Sequence, residues 1–268
     1  MAREDPPLIP PELLLRAYRA GIFPMADSRD DPEVYWVEPK MRAILPLDGF
    51  HLSHSLARTL RRGHFRITCN AAFDAVIDAC AAPRSDAPES WISWRIRDSY
   101  RALHRLGAAH SIEAWLTDAT GTEHLAGGLY GVEFDRVFCG ESMFSRANDA
   151  SKVALAWLVA AMRHGRAELL DCQFTTPHLA SLGAVEITQA DYLRRLEAAM
   201  RPLRPGAARG YGGGASSAAA PSAGALSGAS AAGAGLAFGF AALAAAAAAA
   251  GSSSSPGKFI AQSLTQTS

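Results

Sequence analysis

Apolar residues recur along this chain with two different periods, and the switches between them lay out its elements. Leu14, Ala17 and Tyr18 stand three to four apart behind Pro11, so a helix opens the chain. Gly21 stops it and Pro24 prevents its resumption. Strand-like runs follow at Tyr35-Trp36-Val37 and over 43–46. Ser53 or Ser55 is placed to cap a helix that runs to Arg61 and ends at Gly63. Phe65–Cys69 alternates like a strand, and Asn70 is placed to cap a helix through Cys80 with Phe73, Val76, Ile77 and Cys80 on one face. After a polar loop over 81–90, Ile96, Tyr100 and Leu103 mark another helix, stopped by Gly107.

The second half changes rhythm. Residues 110–117 alternate strongly, 118–122 read as a turn, and 125–132 with 134–139 read as a hairpin. Residues 151–164 are apolar almost all round, which predicts a central buried helix capped by Asn148 or Asp149. Residues 168–173 follow as a strand, so this stretch reads as one strand–helix–strand unit on a sheet. A short helix over 177–183 and a last one over 189–200 complete the pattern. The expected class is α+β: a small α+β domain over 1–85, then a mixed α/β domain over 86–201.

Composition changes the picture at the C-terminus. Of the 268 residues, those from 202 on are mainly Ala, Gly and Ser, with no acid after Glu197. Such a segment buries little large apolar surface against its ordering entropy, so residues 202–268 are expected to be disordered. The uncharged run over 236–250 is too short and too weakly apolar for a confident membrane span. The N-terminus has no apolar core of a signal peptide. A cytoplasmic monomer is the expectation.

Charge excludes one class of partner contact. The chain carries 26 basic and 26 acidic residues, so a grip along a whole nucleic-acid duplex is not expected. One local patch remains: Arg58, Arg61, Arg62 and Arg66 fall in a stretch without acids, either as an ordinary solvated face or as a nucleic-acid contact. Cysteines 69, 80, 139 and 172 form no CxxC and no pairing with histidine, which argues against a zinc site and a disulfide framework. No metal or other cofactor is expected.

The polar candidates cluster around the predicted central helix. Asp171 and Gln173 stand two apart on one strand and face the same side. They are either a structural hydrogen-bond network or a pair that aligns a nucleophile, with Glu141 as the third member. Ser142 and Ser145 lack the GxSxG setting of a nucleophile. The loop SRANDASK contains no glycine, which argues against a pyrophosphate cradle for CoA. Trp36 and Trp91 stand beside loops, as core plugs or as platforms for a base.

The blocks LLLRAYRAGIFPM, YWVEP, HLSHSLARTL, HSIEAW, GGLYGV, FCGESMFSRANDASKVAL, DCQF and HLASLGAVEI occur in this order. Over residues 8–198 the chain resembles the leucyl/phenylalanyl-tRNA–protein transferases, the FCGESMFS and DCQ blocks being the most specific. The resemblance implies an acetyltransferase-like (GNAT-like) C-terminal domain and transfer of Leu or Phe, sometimes Met, from aminoacyl-tRNA to proteins beginning with Arg or Lys, which marks them for degradation. It implies no metal and no CoA. It carries Asp171, Gln173 and Glu141 over as catalytic residues and Trp36 and Trp91 as the hold on the terminal adenosine. Leu129, Phe138, Leu155, Leu158 and Leu170 would form the donor side-chain pocket. Under it, the Arg58–Arg66 patch gains weight as a tRNA contact. The rivals are a CoA-dependent N-acetyltransferase and a non-catalytic tRNA-binding module.

Overall fold

The structure is a computed structural model that describes residues 7–83, 89–202, 235–249 and 256–265. In chain order its elements are α1 (Pro11–Arg19), β1 (Phe23–Met25), β2 (Tyr35–Val37), β3 (Met41–Ile44), α2 (His54–Arg62), β4 (Phe65–Cys69), α3 (Phe73–Cys80) and α4 (Trp94–Arg105). Then come β5 (Ala109–Thr117), β6 (Glu123–Phe134), β7 (Val137–Ser145), α5 (Ala150–His164), β8 (Leu169–Gln173), α6 (Pro177–Ser181), β9 (Val185–Thr188) and α7 (Gln189–Met200). Two more helices, α8 (Gly235–Ala249) and α9 (Pro256–Thr265), close the described chain.

Strands β1 and β2 form a small ribbon, and the other seven form one sheet in the order β4-β5-β6-β7-β8-β3-β9. Only β7 and β8 pair in parallel, and α5 is the crossover between them, as the strand–helix–strand pattern predicts. The fold is α+β. The boundary expected near residue 85 falls between α3 and α4, yet β3 and β4, which precede it, are strands of the same sheet as β5–β9.

The sheet separates two cores. Tyr18, Ile77, Ile96, Tyr100, Tyr130 and Tyr192 pack on one side, with α1, α3, α4 and α7. Leu56, Leu60, Leu129, Leu155, Leu158 and Leu170 pack on the other, around α5. Helix α5 is buried on all sides because the sheet covers one side and α2, α8 and α9 cover the rest.

The structure departs from expectation in three places, two of them helix starts. Asn70 does not cap α3: it takes a left-handed φ of 60°, and its side chain accepts the Ser111 N–H. The backbone N–H groups of Ala71 and Ala72 turn instead to the buried Glu113 carboxylate. Asp149 stands at the N-cap position just before α5 but makes no side-chain cap; Ser145 Oγ accepts the Ser151 N–H at 3.2 Å. The third concerns the tail. Composition predicted disorder from residue 202, and two stretches depart from it, α8 and α9; the remainder of that expectation lies outside the described residues.

Three large residues, Leu236, Phe240 and Leu243, bury themselves against α5. Glycine makes up for the rest. A Cβ at Gly239 would stand 2.6 Å from the Ala161 carbonyl oxygen, so the two backbones approach closely and gain dispersion without large side chains. Phe240 meets Trp157 with ring centres 5.5 Å apart, and Glu133 accepts the Leu236 N–H at 2.7 Å. Gly257 of α9 lies directly on the Leu60 carbonyl of α2. Among the described residues no helix is long and apolar enough to cross a membrane.

Candidate active site

The polar centre lies where β7 and β8 part. The two strands pair only from Val137–Cys139 to Leu169–Asp171 and then diverge. Glu141 is the extra residue of a β-bulge: Gly140 pairs with Gly131 and Ser142 with Tyr130, leaving it without a partner across the ladder. A bulge re-aims the side chain it carries, and here it turns Glu141 toward Tyr100, whose hydroxyl donates at 3.1 Å. Tyr18 in turn hydrogen-bonds Tyr100.

Across the gap, Gln173 ends β8 with a φ of 54°, a conformation costly for a non-glycine residue unless its surroundings impose it. They do. Its N–H donates to Asp171 Oδ1 at 2.9 Å, and its Nε2 donates to Glu141 Oε1 at 3.1 Å. The amide therefore bridges the two strands.

Asp171 is completely buried and fully occupied. Arg42 of β3 grips it bidentately, Nε to Oδ1 at 2.8 Å and Nη2 to Oδ2 at 2.6 Å, and Tyr192 donates to Oδ2 at 3.0 Å. Arg42 also donates to the Gly21 carbonyl, and its guanidinium lies over the rings of Phe23 and Tyr192. Burial by itself would lower the Arg42 pKa, and the Asp171 carboxylate overrides that and raises it. Sequence reasoning missed Arg42; its only signal was a charged residue at the mouth of an otherwise apolar strand.

Glu141 differs. Burial pushes its carboxyl up to about 8, the Asp171 charge adds to this, and hydrogen bonds from Tyr18 and Tyr100 oppose it. It lines a cleft of about 700 Å³ with Leu129, Met143, Leu155, Leu158 and Leu170. Four of the five pocket residues expected from the resemblance thus line one cavity. Phe138 does not: it is fully buried beneath, beside Leu170 in the ladder. Cys172 also lines the cleft, but burial holds its thiol, and that of Cys139, well above the usual range, so neither supplies a thiolate nucleophile.

The other candidates fall outside the cleft. Trp36 is 41 % exposed on β2, opposite Pro24 of β1, and Trp91 is half-buried with its carbonyl accepting the Ala26 N–H at 3.3 Å, so both flank β1. Arg58, Arg61 and Arg62 are exposed on α2. Arg66 is exposed too, but it forms a bidentate pair with Glu123 and lies over Trp115. The start of α5 suits no phosphate: Ser145 occupies its Ser151 N–H, and the Asp149 carboxylate sits there, held by Thr59 and Lys152. Among the described residues no group of three or more metal-binding side chains is assembled.

These positions can be set beside known proteins. A family model described as leucyl/phenylalanyl-tRNA protein transferase matches residues 44–197, and one for the N-terminal domain of the same family matches residues 8–40. A protein named leucyl/phenylalanyl-tRNA–protein transferase from Novosphingobium aromaticivorans is 66% identical over 268 residues, 100% of both chains, so that alignment runs through the tail. Its namesake from Zymomonas mobilis is 59% identical over 193 residues, 72% of this chain and 70% of that one. One from Rhizorhabdus wittichii is 54% identical over 202 residues, 75% of this chain and 79% of that one. On those matches, the chain belongs to the leucyl/phenylalanyl-tRNA–protein transferase family.

Proposed function

We propose that this aminoacyltransferase moves Leu, Phe or Met from aminoacyl-tRNA onto proteins that begin with Arg or Lys, marking them for degradation. It acts as a cytoplasmic monomer without metal or CoA. The observation that carries the reading is the Gln173 amide bridging to Glu141 at the wall of an apolar cleft. The donor's side chain occupies the space among Leu129, Leu155, Leu158 and Leu170. Trp36 and Trp91 hold the terminal adenosine from the β1 side.

The chemistry asks little beyond positioning. The nucleophile is a terminal amine with pKa near 8, so about a tenth is already neutral at pH 7. Holding amine and ester in attack geometry supplies up to about 7–11 kcal/mol. Gln173 gives its N–H₂ to Glu141, which leaves its carbonyl oxygen to accept a hydrogen bond from the incoming amine. The amine attacks the ester carbon, the bond to the ribose oxygen breaks, and that oxygen leaves with the proton. No covalent enzyme intermediate forms. Asp171 is saturated by Arg42, Tyr192 and the Gln173 N–H, so it positions the amide rather than meeting the acceptor. Glu141 has only neutral donors around it; when the acceptor's basic side chain binds, its charge favours the carboxylate, which gives its proton to solvent and pairs with that cation.

The test is transfer of labelled Leu or Phe from charged tRNA to an Arg-starting peptide, with a Glu-starting peptide as control. Transfer to the first alone is expected. No transfer, together with thermal stabilisation by acetyl-CoA, would make the protein an acetyltransferase. tRNA binding without transfer would make it a binding module.

A further inference from the structure

Helix α9 brings a charge to the basic surface of α2. Lys258 is the only charged residue in the described tail, residues 235–249 and 256–265, and it is exposed. Its neighbour Gly257 lies on the Leu60 carbonyl, in a position where any Cβ would collide. With that contact fixed and consecutive Cα atoms 3.8 Å apart, the Cα atoms of Lys258 and Arg61 stand no further than about 13 Å apart. Both side chains are long, so their charges come within reach of the same stretch of polyanion, on the scale of a Debye length of about 8–10 Å.

The ground beside these cations carries little opposing charge. The start of α9 and the end of α2 line a single groove of about 450 Å³, which also takes in Thr59, His64, Arg66 and Thr117. The acid that lines it, Glu123, is engaged by Arg66, and Asp149 beyond it is held by Thr59 and Lys152. The described tail residues add no acid of their own. A docked helix that carried one carboxylate here would repel a phosphate; this one carries one ammonium.

We propose that α9 is part of the surface that grips the tRNA acceptor stem, with Lys258 joining Arg58, Arg61 and Arg62 on its phosphates. The proposal rests on the reading above that tRNA is the donor. Contacts of this kind position the nucleic acid without reading sequence, and each one releases counterions. Docking through Gly257 is what delivers the charge, so α9 is a working part of the donor site rather than an appendage.

The experiment measures tRNA affinity against salt for the full-length chain. Lys258→Ala is expected to lower the slope of log affinity against log salt by about one contact, so that from about 50 to about 200 mM salt the wild type loses about 3.5-fold more affinity than the variant. Lys258→Arg keeps the slope. Gly257→Ala, with Lys258 present, reproduces the loss because its methyl group cannot fit against Leu60. Transfer from an aminoacyl-adenosine donor, which has no stem, stays at the wild-type rate in Lys258→Ala. An unchanged slope in Lys258→Ala overturns the proposal, as does an effect confined to the KM for the acceptor protein. A wild-type chain with no affinity for tRNA would sink the donor assignment itself, and this proposal with it.

Discussion

Two carboxylates stand on the neighbouring strands β7 and β8, and the fold treats them in opposite ways. Asp171 is met by a guanidinium, a tyrosine hydroxyl and a backbone N–H, so its charge is neutralised and every lone pair that matters is used. Glu141 is met by a tyrosine and an amide, which carry no charge, and it opens on the cleft. A buried ion pair fixes geometry; a buried carboxylate with neutral partners keeps an appetite for a cation. The site thus divides rigidity and attraction between two residues of the same chemistry.

The comparison breaks most sharply at Arg42. Arg42→Ala leaves Asp171 buried and unpaired, and a loss of about 3–5 kcal/mol of stability is expected in denaturant unfolding. A loss below about 1 kcal/mol would mean that water reaches Asp171 and that the pair is not what holds β3 to β8. Glu141→Gln keeps the shape but cannot ionise when the acceptor's cation arrives. With a hydrogen bond to a charged partner at stake, about 1.5–3 kcal/mol, the KM for an Arg-starting acceptor should rise roughly 10- to 150-fold, with donor binding kept. A change confined to kcat would hand the reading of the acceptor to another residue.

The donor side gives a smaller effect. Leu158→Ala enlarges the cleft by several methylenes, and the ratio of Phe to Leu transfer should move toward Phe by about 1–3 kcal/mol in relative kcat/KM. An unchanged ratio would place the donor side chain elsewhere. Tyr100→Phe removes one donor from Glu141, a change of about 0.5–1.5 kcal/mol in stability. It should also raise the Glu141 pKa further, because that hydrogen bond favours the charged form.

The raised pKa also sets a pH dependence. Folded Glu141 holds its proton up to about 8, while the unfolded chain gives it up near the ordinary 4.5. Between those values the folded state binds more protons, so the wild type loses stability as pH rises through that window. Glu141→Gln has no such proton to lose. The Tm difference should grow in its favour from pH 5 to pH 8 and level off beyond; a difference that stays flat would show Glu141 to be ionised throughout.

Much of this was legible along the chain. The strand–helix–strand unit, the buried α5 and the hairpin β6–β7 follow from periodicity, because each buries a continuous face. The pairing of Asp171 with Gln173 was readable from a spacing of two. Arg42 was not, since its partner stands 129 residues away and no local pattern announces it. The bulge at Glu141 was invisible for a similar reason: two residues against one is a property of the pair of strands, not of either. The strands β1 and β9 are too short to show a period. Helices α8 and α9 eluded a composition argument because close approach of glycine backbones, which composition counts as weakness, is what lets them pack.

Arg42 has a consequence for the order in which the protein is built. Its contacts are to Gly21, Asp171 and Tyr192, so one guanidinium waits on segments made at the beginning and near the end of synthesis. A nascent chain that has not yet delivered Asp171 would have to seat that cation in a core with no counter-charge, so β3 has no stable place in the sheet until β8 and α7 arrive. Residues 1–170 alone cannot assemble the centre. A polypeptide that stops short of Tyr192 therefore lacks the Arg42–Asp171–Tyr192 network, and only a chain completed past that residue can close it.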